Sequence, residues 1–227
     1  MKKKITILTI LIVLVAIVSV LIYYKDDMMA YYTDNSQKSN PTTVGNMEVS
    51  VVEPNYTDNQ VIKPNESITK DPTFSNTGAV DGYVRAQVYV PISDQIKYVD
   101  NQENIVTPAD EIEIFSYQIN SGWVEVTDDP SDTYKFSGIY EDSDGNRYKV
   151  RTYKYMQGGE EKIVAGGETI STPLFDEVSV INYLDMDTTT NLKMHVVALG
   201  VQSMGGTADE MWLRFKNQNE AGIVGVE

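Results

Sequence analysis

The sequence holds one histidine, His195, and no cysteine, so it offers few residues for metal binding or nucleophilic catalysis. His195 lies in a pattern typical of a strand rather than in a helical His-Glu-x-x-His motif, so the ligands of a common zinc hydrolase are missing. A serine triad would need the same His195, and no serine stands in a Gly-x-Ser-x-Gly motif. We therefore predict that the chain is not an enzyme and has no catalytic residues.

Two aspartates lie close together in the stretch EDSDGN, residues 141–146. The carboxylates of Asp142 and Asp144 have the alternate spacing found in calcium loops, but the glutamate that ends a twelve-residue loop is missing. The Asp-Gly pair between two strand patterns instead predicts a hairpin turn. Asp142, Asp144 and His195 are therefore only weak metal candidates, and neither a metal site nor a cofactor is predicted.

The chain is strongly acidic, with 33 Asp and Glu against 18 Lys and Arg and a formal net charge of −15. Such a charge repels phosphate backbones and anionic lipid headgroups. Nucleic acid is therefore excluded as a partner. The absence of cysteine means that core packing and sheet hydrogen bonds must hold the fold without disulfides.

The N-terminus has a pattern typical of an export signal or a membrane anchor. Lys2, Lys3 and Lys4 precede residues 5–22, an apolar run without a charge. Its length suits a membrane anchor, whereas the short polar stretch that ends at Ala30 suits signal-peptidase cleavage. Both interpretations place the rest of the chain outside the cytoplasm. We predict a signal peptide over residues 1–30, with an uncleaved anchor as the alternative.

Patterns of period two dominate the remainder and predict an antiparallel, all-β fold with a minor helix. In GYVRAQVYVP, residues 82–91, the side chains alternate between two faces of a long strand that we expect Pro91 to end. Six further stretches read as strands, at residues 46–53, 122–128, 133–141, 146–156, 173–183 and 192–202. This number of strands predicts a two-sheet β-sandwich over residues 46–227.

One helix is predicted near the C-terminus, in TADEMWLRFKN at residues 207–217. Thr207 and Glu210 have the spacing of a capping box. Ala208, Met211, Trp212 and Phe215 form an apolar stripe of helical period, which we interpret as core packing.

Four blocks stand in order along the chain: AYYTD with TVGNMEVSVVEP at 30–34 and 43–54, IKPNESITKDPTFSNTGAVDGYVRAQVYVP at 62–91, GGETISTPLFDEVSV at 166–180 and MHVVALGVQSMGG at 194–206. Together they resemble exported proteins of the TasA and camelysin type. The resemblance implies a jelly-roll-like sandwich and a secreted structural protein in extracellular fibres of a biofilm matrix or on the cell surface. It also implies cleavage between Ala30 and Tyr31 by a SipW-type signal peptidase.

Residues 31–45 would then form a free, polar N-terminal segment. It either remains a disordered tail or adds as a strand to the sheet of the next subunit, which gives a head-to-tail contact and a homopolymer. The residues of the candidate assembly strand are Tyr31, Tyr32, Thr33, Asp34, Thr42, Thr43 and Val44.

Three functions remain open at the level of sequence. The first is the fibre-forming protein, with itself and other matrix proteins or polysaccharide as partners. The second is the zinc endopeptidase activity that the camelysin relatives imply, and the third is a monomeric surface adhesin or accessory protein. A metalloprotease needs several ligands in fixed geometry, which His195 alone does not supply.

Overall fold

The computed structural model describes residues 33–35, 47–55, 63–128, 135–185, 193–219, 222, 223 and 225. The chain divides into two compact units, Met1–Thr33 and Asp34–Glu227. All described residues except Thr33 belong to the second unit. The predicted signal peptide and the boundaries at residues 30 and 45 therefore remain predictions.

Strands are the predominant regular structure of the described chain. They are β1 (Thr33–Asn35), β2 (Val49–Val52), β3 (Ser67–Thr69), β4 (Thr73–Asn76), β5 (Gly82–Ser93), β6 (Lys97–Val99), β7 (Ile105–Val106), β8 (Ile112–Glu113), β9 (Phe115–Tyr117), β10 (Trp123–Glu125), β11 (Gly138–Glu141), β12 (Arg147–Gln157), β13 (Glu160–Glu161), β14 (Ile163–Val164), β15 (Glu177–Val180), β16 (Tyr183–Asp185) and β17 (His195–Gln202). One helix, α1 (Ala208–Asn219), follows β17 within the described residues.

The largest sheet contains nine strands. Its main path runs β1-β17-β5-β12-β10, and β8, β11, β13 and β14 pair with β5 or β12. Three smaller sheets have the orders β3-β15-β9, β16-β6-β7 and β2-β4. The pairs from β2 onwards are antiparallel. The all-β prediction with a minor helix is confirmed, but the strands pair into four sheets, so the two-sheet, jelly-roll-like arrangement is not confirmed.

Strand β5 is the centre of the large sheet, with β17 on one side and β12 on the other. Each of its residues from Gly82 to Pro91 is buried. Val84, Ala86, Val88 and Val90 belong to the main apolar core. The opposite face, which carries Arg85 and Gln87, is buried as well.

The prediction that Pro91 ends this strand is wrong, because β5 continues to Ser93. Pro91 lies beyond the end of β17, whose first residue, His195, faces Tyr89. Its carbonyl oxygen accepts a hydrogen bond from the Ile114 N–H at 3.1 Å. Proline is tolerated where a strand does not need the missing N–H, and this position meets that condition.

The main core fills the space between β5 and the smaller sheets. Phe74, Leu174 and Phe175 are fully buried there. Leu174 and Phe175 follow the turn at Gly166 and Gly167 in the chain. Trp123 packs against Phe74 with ring centroids 5.2 Å apart, so aromatic contacts tie the end of the large sheet to β4.

The predicted helix and its cap are confirmed by α1. The Thr207 N–H donates to Glu210 Oε2 at 2.9 Å, and the Glu210 N–H donates to Thr207 Oγ1 at 3.4 Å. Each satisfies a backbone donor that the first helical turn leaves without a partner. Met211, Trp212 and Phe215 are buried, as the apolar stripe predicts.

Candidate functional site

The outer edge of β17 is the part of the fold that bears on assembly. The strand pairs with β5 over its whole length, from His195 opposite Tyr89 to Gln202 opposite Gly82. On the other side of β17 lies β1, which has three residues against the eight of β17. We call this side of His195–Gln202 the β17 edge.

Alternation and a required glycine shape β17. Val196, Ala198 and Gly200 share the face that points to the main core, where β2 packs across the strand. A Cβ atom at Gly200 would lie 2.5 Å from Val49 Cγ1, closer than real Cβ contacts allow. Glycine at this position therefore lets β2 lie directly against β17.

The predicted assembly strand is only partly described. Thr33 and Asp34 lie in β1, beside β17 in the strand order. Tyr31, Tyr32, Thr42, Thr43 and Val44 lie outside the described residues, as do Ala30 and the apolar run 5–22. The structure therefore places the described part of this segment in a strand at the sheet edge, and cleavage at Ala30 and Tyr31 stays a prediction.

His195, a weak metal candidate, begins β17 and is half-buried. Its ring meets the Tyr148 ring edge-on, with centroids 5.5 Å apart. Burial lowers the pKa of His195 below its usual value, and the charges of Lys193 and Lys70 lower it further, while Asp142 opposes them. A neutral imidazole is therefore favoured in the folded protein.

Asp142, another weak metal candidate, forms the predicted hairpin turn between β11 and β12, which is confirmed. Its carboxylate accepts hydrogen bonds from Asn146 Nδ2 at 2.8 Å and from the Asn146 and Asp144 N–H groups at 2.8 and 3.0 Å. The Asn146 side chain is the main cause that lowers the pKa of Asp142. The turn itself thus occupies the oxygens that a calcium ion would need.

Tyr148 brings two of the three candidates to one end of the sheet, because its hydroxyl donates to Asp142 Oδ2 at 3.4 Å and its ring meets His195. Over the described part of the chain, no group of three or more His, Asp or Glu side chains is arranged to hold a metal ion. Nor does any described helix combine the length and the apolar character that crossing a membrane requires.

A buried polar cluster beneath α1 was missed by the sequence reasoning. Arg85 and Glu161 form a two-point ion pair, with Nε–Oε1 at 3.0 Å and Nη2–Oε2 at 2.7 Å, and both side chains are 4% exposed. The Arg85 guanidinium also lies over the Trp212 ring, 4.5 Å from its centroid. The sequence signal that points to this buried pair is an arginine within a strand otherwise rich in valine.

Hydrogen bonds from the Gln87 side chain to two backbone carbonyls help to cover the polar face of β5, beside the area that α1 covers. Gln87 Nε2 donates to the Gly222 carbonyl at 2.7 Å and to the Phe136 carbonyl at 3.3 Å. Gly222, beyond the end of α1, therefore contacts the same face of β5 as the helix. This cover explains why both faces of the strand are buried.

Nothing matches this chain in comparisons with protein-family models, curated proteins and solved structures.

Proposed function

We propose that this chain is an exported structural protein of the TasA and camelysin type, which polymerises by exchanging its N-terminal strand between subunits. The class rests on the four ordered blocks of resemblance and on the all-β fold. The assembly mode rests on the β17 edge. In this proposal the protein acts outside the cell, as fibre or surface layer.

The observation that carries the proposal is the difference in length between β1 and β17. A three-residue strand lies beside an eight-residue one. An edge strand offers backbone N–H and C=O groups to any extended segment that reaches it. A longer strand, built from residues 31–35, would match the β17 edge better than β1 does.

The chain between β1 and β2 is long enough for exchange. Residues 36–46 would then serve as the tether, and eleven residues span up to roughly 36–40 Å when extended, at about 3.3–3.6 Å per residue. The N-terminal segment can therefore leave its own sheet and reach the β17 edge of a neighbour. The donor strand and the acceptor edge are different surfaces of a subunit. Each added subunit therefore leaves one donor strand and one acceptor edge exposed, and the assembly grows as a filament.

The experiment is electron microscopy of the secreted protein with and without residues 31–43. We expect filaments from the intact protein and none from the deletion variant, which should remain folded because Met47 is the first described residue of the main core. A control variant with residues 36–41 replaced by Gly and Ser keeps the tether length and should still form filaments.

Two results would overturn the proposal. Normal filaments from the deletion variant would mean that another surface joins the subunits. Loss of near-UV circular dichroism and of cooperative unfolding in that variant would mean that the segment belongs permanently to its own sheet. N-terminal sequencing of the secreted protein tests the associated expectation that it begins at Tyr31.

A further inference from the structure

The solvent-facing side of the β3-β15-β9 sheet carries a regular row of hydroxyl groups. Ser179 of β15 stands opposite Ser67 of β3 on one side and Ser116 of β9 on the other. The Ser67 and Ser179 hydroxyl oxygens lie 3.1 Å apart. Strands are about 4.8 Å apart in such a sheet, so these three hydroxyls form one line across it.

A groove of about 760 Å³ runs along this surface. Its walls include Thr69, whose partner across the strands is Glu177, and the adjacent Asp176. The amide side chains of Gln118 and Asn120 line the side nearest β9. Hydroxyl, amide and carboxylate groups thus face one space, the set of donors and acceptors that can bind a polyhydroxylated ligand.

The groove is held by contacts to the core beneath it. Asn120 donates from its backbone N–H to the Leu174 carbonyl at 2.8 Å and from Nδ2 to Asp176 Oδ1 at 3.1 Å. Tyr117 packs on Phe175 with ring centroids 4.7 Å apart. Side chains that are already held in place lose little conformational entropy when a ligand binds. Such a surface is therefore preorganised for recognition.

The charge of the groove is negative. Among the residues that the structure describes, no Lys or Arg lines it, and neither Asp176 nor Glu177 takes part in an ion pair. Anionic ligands are therefore disfavoured. The net charge of −15 also attracts cations to the protein as a whole.

We propose that this groove binds a polysaccharide of cationic amino sugars, one whose amino groups are not acetylated. The sugar hydroxyls would exchange hydrogen bonds with Ser116, Ser179 and Thr69 and with the two amides. The ammonium groups would pair with Asp176 and Glu177. The surface lies on a different sheet from β17, so this inference does not depend on strand exchange.

The test measures binding of two probes to the full chain, purified in the form that a secreting host delivers. The probes are a glucosamine hexamer and an N-acetylglucosamine hexamer, measured by calorimetry at about 0.15 M salt. The test variant is Asp176→Asn with Glu177→Gln. The matched control is Asp110→Asn with Glu103→Gln, which removes the same charge from exposed positions outside the groove.

We expect the glucosamine hexamer to bind at least about tenfold more tightly than the acetylated probe. The groove variant should lose about tenfold in affinity and the control less than about twofold. Equal losses in both variants would mean attraction to the net charge alone and would overturn the proposal. Equal binding of the two hexamers, or no binding of either, would overturn it too. Thermal unfolding of each variant checks that the exposed substitutions leave the fold intact.

Discussion

The Trp212 indole N–H donates a 2.7 Å hydrogen bond to Glu161 Oε1, across 51 residues of chain. The same carboxylate pairs with Arg85 of β5. One glutamate on the short strand β13 therefore joins α1 to the central strand of the large sheet. The buried charges are stable there only because each has its partner.

Removing Glu161 should leave a buried arginine without a counter-charge. We expect Glu161→Ala to lower the free energy of unfolding by about 3–5 kcal/mol. Glu160→Ala, one residue earlier and exposed, should change it by less than about 0.5 kcal/mol. Urea unfolding measures both, and equal effects would show that the ion pair contributes no more than an exposed charge.

The contact of α1 with the sheet gives a second prediction. Trp212 is 1% exposed and Leu213 is 53% exposed. Trp212→Ala should lower the free energy of unfolding by about 3–5 kcal/mol, because it leaves a cavity and removes the hydrogen bond to Glu161. Leu213→Ala should stay within about 0.5 kcal/mol. A small loss for Trp212→Ala would mean that α1 is only loosely docked.

The titration of His195 can be followed without overlap from another imidazole, because it is the one histidine of the chain. Burial and the charges of Lys193 and Lys70 hold its pKa below the usual value of 6.5. The unfolded chain therefore binds the proton more readily, and stability falls as the pH drops through about 6.5. NMR of the imidazole should give a lowered pKa, and Asp142→Asn should lower it further. A pKa at or above 6.5 in the intact protein would contradict the buried, neutral histidine.

Much of the fold follows from local patterns in the sequence. The alternation in β5, the capping box of Thr207 and Glu210 and the Asp-Gly turn at residues 144–145 each involve neighbours in the chain. Their physical causes, side-chain period and backbone capping, are readable within a few residues. These features are accordingly where sequence and structure agree.

The features that sequence reasoning missed depend on residues far apart. Arg85 and Glu161 are 76 positions apart, and neither type alone predicts a buried pair. The continuation of β5 past Pro91 depends on where β17 begins. The grouping of strands into four sheets likewise depends on long-range pairing, which the period of a single strand does not specify.

Assembly should depend on pH and salt. Cleavage after Ala30 would remove four Lys and two Asp and change the formal charge from −15 to −17. Like charges repel, and carboxylates lose their charge towards about pH 4–5. Light scattering should therefore show faster assembly at about pH 5 than at pH 8, and at high salt than at low salt. Ordered filaments that form equally fast under all these conditions would mean that repulsion does not limit assembly.

Strand exchange at the β17 edge is tested most directly by cross-linking, since the chain has no cysteine of its own. Asp34→Cys in β1 is combined with cysteine at Lys193, which is exposed, or at Ser203, which is half-buried; these residues lie next to the two ends of β17. A third pair joins Asp34→Cys with Ser121→Cys, which lies in the turn before β10 at the far edge of the sheet path. A short bis-maleimide then joins neighbouring thiols in assembled protein.

We predict a ladder of covalent dimers and higher oligomers on a denaturing gel for at least one of the two β17 pairs. The Ser121 pair should give no ladder, because its acceptor lies away from the β17 edge. Cross-links confined to single chains in assembled protein would show that β1 stays in its own subunit. That result would contradict strand exchange.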